Sequence, residues 1–408
     1  MFMITTLKAQ KENLSVGDIV MKFHGYRRTD GKIGIRNHVL ILPTVACANE
    51  TCRIIAENLP EAVSLVNQNG CGEIEGNRKI TQTVLSGLAA NPNVFGTLMI
   101  GLGCELNQAE EMTRIIRSKT SKPLEVLLIQ EQGGTLNTIN KGIRIAQDLI
   151  IQASFCEREP FDISYLTIGI ECGGSDSTSG LVANPVIGRV SDLLVDAGGT
   201  AMFSETTELI GAEHLLAQRA ASPEVGRKIF EIVKRRESHL QSVGEDVRSG
   251  QPSPGNKAGG LSTIEEKSLG CIYKGGTTPV MEVVEYANNP TVKGLVIMDT
   301  PGYDVLSVTA KVAGGCQLII FTTGRGNPIG NPIAPVLKVT ANKDTFTNMR
   351  DNTDLDLSEV LEGTRSINEV GNEVLEEVIH IANGKRTKAE VYGFGFTETV
   401  MSRICDYV

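Results

Sequence analysis

Short apolar runs alternate with amphipathic stretches along most of this chain, and that alternation limits its architecture more than any other feature. The runs His38–Leu42, Ala62–Val66, Phe95–Ile100 and Leu124–Ile129 have the length and β-branched content of buried strands. Between them, Met112, Ile115 and Ile116 share one helical face, as do Ile143, Ala146, Leu149 and Ile150. Strands that alternate with helices form βαβ units, which place a parallel sheet between two helical layers. A second series follows at Tyr165–Ile170, Thr200–Phe203, Gly294–Met298 and Gln317–Phe321. The expected fold is therefore α/β, with two open, mainly parallel sheets and helices on both faces. The matching ends I-G-L-G-C-E and I-G-I-E-C-G-G suggest a duplicated unit. Charges and a proline interrupt the pattern over Ile151–Asp162, which places a boundary there. The chain divides into an N-terminal extension (1–21), a first unit (22–155) and a second unit (156–408).

In open parallel sheets, ligands bind beyond the carboxyl ends of the strands. Cys47, Cys71 and Cys104 fall just past three successive strands of the first unit, each beside Gly or Ala. Thiolates are soft ligands that suit iron, zinc or an Fe–S cluster, and three of them leave a coordination position open for a reactant. Cys47, Cys71 and Cys104 are thus the candidate metal ligands, with iron (Fe2+ or a cluster with a vacant position) the expected cofactor and another divalent ion the alternative. Burial of each as a small apolar residue is the competing reading. Cys172 is a fourth candidate; Cys52, Cys156, Cys271, Cys316 and Cys405 suit core positions. The nine cysteines cannot all pair within the chain.

A net charge of −9 argues against a nucleic-acid partner, which would demand a basic footprint. No apolar run reaches the length of a membrane span, and the N-terminal residues do not form a signal peptide, so a cytoplasmic location is expected. Two Gly/Pro-rich stretches, Gly250–Ser262 and Thr322–Pro335, are long enough to be binding loops. Neither carries a phosphate-binding motif, and no nucleophile elbow is present. Carboxylates near strand ends (Glu105, Glu131, Asp176 and Glu205) can act as acid or base, although helix-start anions occupy similar positions. Arg36, Lys257, Lys274 and Arg325 can grip an anionic substrate.

Six stretches, Gly25–Asn37 (G-Y-R-R-T-D-G-K-I-G-I-R-N), Gly101–Glu105 (G-L-G-C-E), Glu171–Asp176 (E-C-G-G-S-D), Ser253–Gly270, Met298–Asp304 (M-D-T-P-G-Y-D) and Phe321–Pro328 (F-T-T-G-R-G-N-P), together resemble the altronate/galactarate dehydratase family. The family also includes the large subunit of sulfolactate sulfo-lyase. The resemblance implies a lyase that acts on hydroxylated carboxylates and depends on iron or another divalent metal. Single-chain members carry a small N-terminal SAF domain; here the match begins too early for one, which implies a separate small subunit in a likewise oligomeric enzyme. Cys316 departs from the small non-thiol residue expected there. The expected reaction removes the C2 proton of a 2-hydroxy acid and expels the C3 group, leaving a 2-keto product. Glu205, Lys257 and Glu105 are the candidate catalytic groups. Arg36, Asn37, Asp176, Lys274 and Arg325 are the candidate substrate contacts. The leading expectation is loss of water from altronate or galactarate; the alternatives are loss of sulfite from 3-sulfolactate and a non-catalytic iron or redox sensor.

Overall fold

The computed structural model describes residues 21–395. The 1–20 part of the expected N-terminal extension, and Cys405, lie outside the described residues. The chain opens with a hairpin, β1 (Lys22–Arg27) and β2 (Ile33–Gly34). The first parallel sheet follows, with β3 (His38–Pro43), β4 (Ala62–Ser64), β5 (Val94–Gly101) and β6 (Leu124–Leu128) in the order β4-β3-β5-β6. Val39 and Ile41 join one apolar cluster and Leu40 and Leu42 another, as period-two alternation in a sheet covered on both faces requires. The helices Asn49–Glu57 and Thr135–Ser154 cover the first face, through Cys52, Ile55, Ala146 and Leu149. The helices Glu75–Ala90 and Ala109–Lys119 cover the second, through Val84, Leu88, Met112 and Ile116.

The boundary segment Ile151–Asp162 is itself structured. It contains the end of the helix Thr135–Ser154 and then β7 (Glu159–Asp162), which pairs antiparallel with β1. Phe23, Ile33 and Ile35 consequently sit in the same core as Phe161 and Ile163. Chain that precedes the first sheet is thereby packed into the second unit.

The second sheet has seven parallel strands: β8 (Thr167–Cys172), β9 (Thr200–Phe203), β10 (Val280–Val284), β11 (Gly294–Met298), β12 (Leu318–Thr322), β13 (Val336–Thr340) and β14 (Leu355–Asp356). Their order is β10-β11-β9-β8-β12-β13-β14. β8 starts two residues later than expected, because Ile163–Tyr165 forms a turn of 3-10 helix whose Asp162 cap accepts from Ser164 N. Cys172 is therefore the last residue of a strand. The edge strand β10, partly exposed (M-E-V-V), and β13, whose Lys338 interrupts an apolar run, were not anticipated.

The two sheets share a core. Leu40, Leu42, Val84 and Met99 of the first unit cluster with Met202, Met298, Val308, Ile319 and Phe321 of the second. The helices Glu75–Ala90 and Asp304–Ala313 pack with their carboxyl ends together: Gly87 lies against Ala313, and Asn91 Nδ2 donates to Val312 O (2.7 Å) and Cys316 O (2.9 Å). Both helices start at the carboxyl rim of their sheet, so the two rims open toward the same side. Among the described residues, no helix is long and apolar enough to cross a membrane.

Candidate active site

Strand order reverses direction between β8 and β12, so the switch point lies at Cys172–Ser177 and Thr322–Arg325. Both Gly/Pro-rich stretches close on this point. Gly324 N (3.2 Å) and Arg325 N (2.8 Å) donate to Gly174 O, Ser177 N donates to Gly259 O (2.9 Å), and Asn256 Nδ2 donates to Ser175 O (2.9 Å). The second stretch is a loop, while the first contains a short helix, Pro254–Ala258, held by a capping box between Ser253 and Asn256.

Beneath these loops lies a dense buried cluster of charge. Lys274 Nζ donates to Glu205 Oε2 (2.5 Å), Cys172 Sγ (2.9 Å) and Glu208 Oε2 (3.0 Å). Lys267 Nζ pairs with Glu208 Oε1 at 3.0 Å. The Cys172 thiol donates to Glu208 Oε2 (2.8 Å) and lies 3.6 Å from Cys271 Sγ. Lys311, fully buried, donates to Glu171 Oε2, Ile170 O (2.7 Å) and Ser204 Oγ (2.8 Å). Ser307 Oγ also donates to Glu171 Oε2 (2.8 Å). Glu205 adopts φ 70°, ψ 67°, a left-handed conformation that costs a non-glycine residue and here turns its carboxylate inward.

The environment sorts these groups by charge state. Burial, with Glu171 and Glu208 beside it, pushes the Glu205 carboxyl well above the usual range. Burial likewise raises Glu171, against the pull of Lys311. Burial, then the charges of Glu205 and Glu208, raises Asp304 to about 7. Glu208 goes the other way: burial opposes its ionisation, but the ammonium groups of Lys274 and Lys267 hold it below the usual range. The hydrogen bond with Cys271, then burial, keeps Cys172 a thiol. Burial opposes the charge on Lys274, but the carboxyl groups of Glu205 and Glu208 beside it, Glu208 held ionised, outweigh it.

A cavity of about 300 Å³ reaches this cluster through Lys267 and Cys271, with Asp176, Leu261 and Tyr273 on its walls. A cavity of about 330 Å³ lies at the other end of the sheet, beside Tyr165, Thr167 and Thr200. It faces the amino ends of β8 and β9, where parallel sheets do not bind substrate.

Of the residues singled out from the sequence, the structure brings Glu205 and Lys274 together and separates most others. Arg36 is 8% exposed and far from free: it forks onto Glu390 (2.7 and 3.0 Å) and donates to Ile35 O, Ile381 O and Lys385 O. Asn37 ties Arg28 to Ala153 O. Both join the start of the first sheet to distant backbone, so the substrate-contact expectation for Arg36 and Asn37 is corrected. Asp176 staples its own loop, accepting from Thr178, Ser179 N and Asn342 Nδ2, and only borders the cavity. Lys257 is exposed on the short loop helix, and Arg325 is exposed on the rim. Glu105 is a loop staple as well, accepting from Thr44 Oγ1 (2.7 Å), Leu102 N (3.1 Å) and Gly103 N (2.6 Å), which leaves no free base.

The three candidate ligand thiols lie on the carboxyl rim of the first sheet. Gly70 draws their loops together: it packs against Thr44 and Val45, and its carbonyl accepts from Leu106 N (3.0 Å), while Ala46 N donates to Asn69 O (3.0 Å). Positive φ at Gly70, Gly72 and Gly103 makes these turns possible. Cys47, Cys71 and Cys104 are all exposed, so burial in separate apolar pockets does not describe them. Among the described residues, two groups of three bring ligand atoms within 4.8 Å of one another: Cys172 with Glu208 and Cys271, and Glu171 with Glu205 and Asp304. Cys47, Cys71 and Cys104 form no such group, which corrects the expectation that they close on a single ion.

Comparison with known proteins agrees with this architecture. The model described as D-galactarate dehydratase/Altronate hydrolase, second domain, matches residues 25–154, and that described as D-galactarate/Altronate dehydratase, C-terminal, matches residues 163–405. The chain belongs to the galactarate/altronate dehydratase family. It is 39% identical to the (2R)-sulfolactate sulfo-lyase subunit beta of Chromohalobacter salexigens, over 94% of this chain and 97% of that protein. It is 34% identical to the altronate dehydratase of Bacillus subtilis, over 91% of this chain and 76% of that protein. It is 35% identical to the galactarate dehydratase (L-threo-forming) of Escherichia coli, over 89% and 73%. The family is one of lyases, and this chain is a lyase by that membership.

The sequence reading missed Glu171, Glu208, Lys267, Asp304, Ser307 and Lys311. A signal existed for three of them. Asp304, Ser307 and Lys311 recur at i, i+3 and i+7 of an otherwise apolar helix, a polar stripe on a buried face.

Proposed function

We propose that this chain is the large subunit of a hydro-lyase that removes water from a sugar acid of the altronate or galactarate type, giving a 2-keto-3-deoxy acid. The observation that carries the reading is the buried Lys274–Glu205 pair at the switch point of the second sheet, next to a cavity of small-molecule size. Lys267 on the cavity wall, and Lys274 behind it across the shared Glu208, supply positive charge for the substrate carboxylate and for the enediolate that forms as C2 loses its proton. The reaction starts from the Glu205 carboxylate beside the Lys274 ammonium: the C2–H bond breaks, its electron pair stays on the substrate as the enediolate, and the proton passes to Glu205, whose proton affinity burial raises. The C3–O bond then breaks, the pair returns the proton to the departing hydroxyl, and water leaves. The enol ketonises. Of the two bases considered from the sequence, Glu205 is buried at this point and Lys257 is exposed outside it.

Iron carried by Cys47, Cys71 and Cys104, as a cluster with a vacant position, would supply an electrophile for substrate oxygens. The small SAF-domain subunit, an oligomeric assembly and a cytoplasmic location complete the proposal. A second reading, release of sulfite from 3-sulfolactate, is supported by one comparison: the chain is 39% identical to the sulfo-lyase subunit and 34–35% identical to the two dehydratases.

The test is anaerobic co-purification with the small subunit, assay of iron and acid-labile sulfide, and incubation with altronate, galactarate and 3-sulfolactate. A 2-keto-3-deoxy acid supports the first reading. Sulfite from sulfolactate alone replaces it with the second, and no turnover with any of the three favours the sensor.

A further inference from the structure

We infer that the seam between the two units holds a second, non-catalytic site for a short-chain monocarboxylate, with Arg386 and Asn331 as its recognition residues. A cavity of about 260 Å³ opens there, at the amino ends of β3, β4 and β13, the opposite end of both sheets from the reaction centre. His38 and Val63 line it from the first unit, and Asn331, Ile333, Arg386 and Phe394 from the second. One buried donor in its wall is unused. Asn331 is 6% exposed, and its Oδ1 accepts from Ile333 N (2.9 Å) and Ala334 N (3.1 Å), which fixes the amide. Its Nδ2 is buried and has no partner among the described residues. A buried donor without an acceptor is costly, and an oxygen seated in the cavity would satisfy it.

The charge at this cavity is positive. Arg36 and Glu390 cancel, because the guanidinium forks onto that carboxylate (2.7 and 3.0 Å). His38 adds no charge at neutral pH: burial, then the charge of Arg36, lowers it to about 4. Arg386 is exposed, lines the cavity, and has no ion pair among the described residues. A guanidinium and an amide donor on one cavity suit the two oxygens of a carboxylate. Pro60, Val63, Pro332, Ile333 and Phe394 supply an apolar wall. That wall suits a short alkyl body and would leave the hydroxyls of a sugar acid without partners. The ligand is therefore of a different class from the substrate at the reaction centre. Both units contribute to the wall, so the bound acid would strengthen the seam that Arg36 and Glu390 fasten, and should stabilise the chain.

The experiment is titration of the full chain with butyrate at constant ionic strength, read by saturation-transfer NMR and by thermal unfolding, with butyramide as the uncharged control. Butyrate should bind saturably and raise Tm, and butyramide should bind about tenfold more weakly or not at all. Arg386→Gln and Asn331→Asp should each weaken butyrate binding about tenfold with an unchanged circular dichroism spectrum. Asn331→Asp keeps an oxygen for Ile333 N and Ala334 N while replacing the donor by a like charge. Arg386→Gln keeps the test decisive if Asn331→Asp fails to fold, because Arg386 is exposed and has no ion pair to lose among the described residues. No saturable butyrate binding, equal binding of butyramide, or binding indifferent to both substitutions overturns the site. So does butyrate binding that appears only after residues 396–408 are removed, since the cavity would then belong to the chain's own C-terminal residues. None of these results bears on the elimination reading, whose test is turnover of the hydroxy acids.

Discussion

Arg36 separates a structural role from a substrate role in one experiment. Its guanidinium forks onto Glu390 and donates to three backbone carbonyls, fastening the start of the first sheet to the C-terminal helices of the second unit. Arg36→Met strands Glu390 and those carbonyls together. Breaking a buried ion pair by removing one partner costs about 3–5 kcal/mol. The Glu390 side chain remains 16% exposed, so the lower end, about 3 kcal/mol, applies here. If the described part of the chain unfolds as one unit, an unfolding entropy of roughly 2.1 cal/mol/K per residue gives about 0.8 kcal/mol/K. The expected fall in Tm is then about 4 °C. Arg36→Lys should lose about half as much, since an ammonium keeps the charge without the fork. In Arg36→Met/Glu390→Gln the losses should be less than additive by about 1 kcal/mol or more. KM for the substrate should not move in any of these variants. Differential scanning fluorimetry and steady-state kinetics on the two-subunit enzyme read both quantities. A tenfold rise in KM with an unchanged Tm would refute the structural assignment and return Arg36 to the substrate.

Three further outcomes are expected. Lys311→Met should destabilise the fold by about 3–5 kcal/mol by isolating buried Glu171, and Lys311→Met/Glu171→Gln should recover part of that loss in denaturant unfolding; equal stability of the two variants would contradict the pairing. Burial lowers the Lys338 ammonium from its ordinary value to about 8. The unfolded chain therefore holds more protons than the folded one between pH 8 and the ordinary lysine value, so stability rises with pH across that window and is lost below it. Lys338→Met should remove that rise, measured as the difference in midpoint between the two proteins. Finally, Cys104→Ser should reduce iron content and turnover while the fold survives; a fully active, iron-replete variant would take Cys104 off the ligand set.

Strand runs such as H-V-L-I-L and G-L-V-I-M, with helices between them, were legible because a parallel sheet buried on both faces needs continuous apolar sequence. The family motifs were legible for a related reason: glycine-rich turns such as Gly101–Glu105 and Glu171–Asp176 sit at the same strand ends the pattern predicts. β13 was not, because the apolar stem of Lys338 is buried while its ammonium reaches Ile329 O (2.6 Å), and a lysine in a strand suggests exposure.

Local pattern thus determined the layers, the parallel strand direction and the turns at the strand ends, and the resemblance of the motifs to a known family gave the class of chemistry. Tertiary structure alone decided which charges meet. Arg36 and Glu105 have the residue types of a reaction centre, yet partners hundreds of residues away or within a single loop absorb their hydrogen bonds. Lys267 and Lys311 look unremarkable in sequence, and become central because buried charge persists only where an opposite charge is brought beside it. That pairing depends on strand order, and strand order is set by how the two sheets share one core.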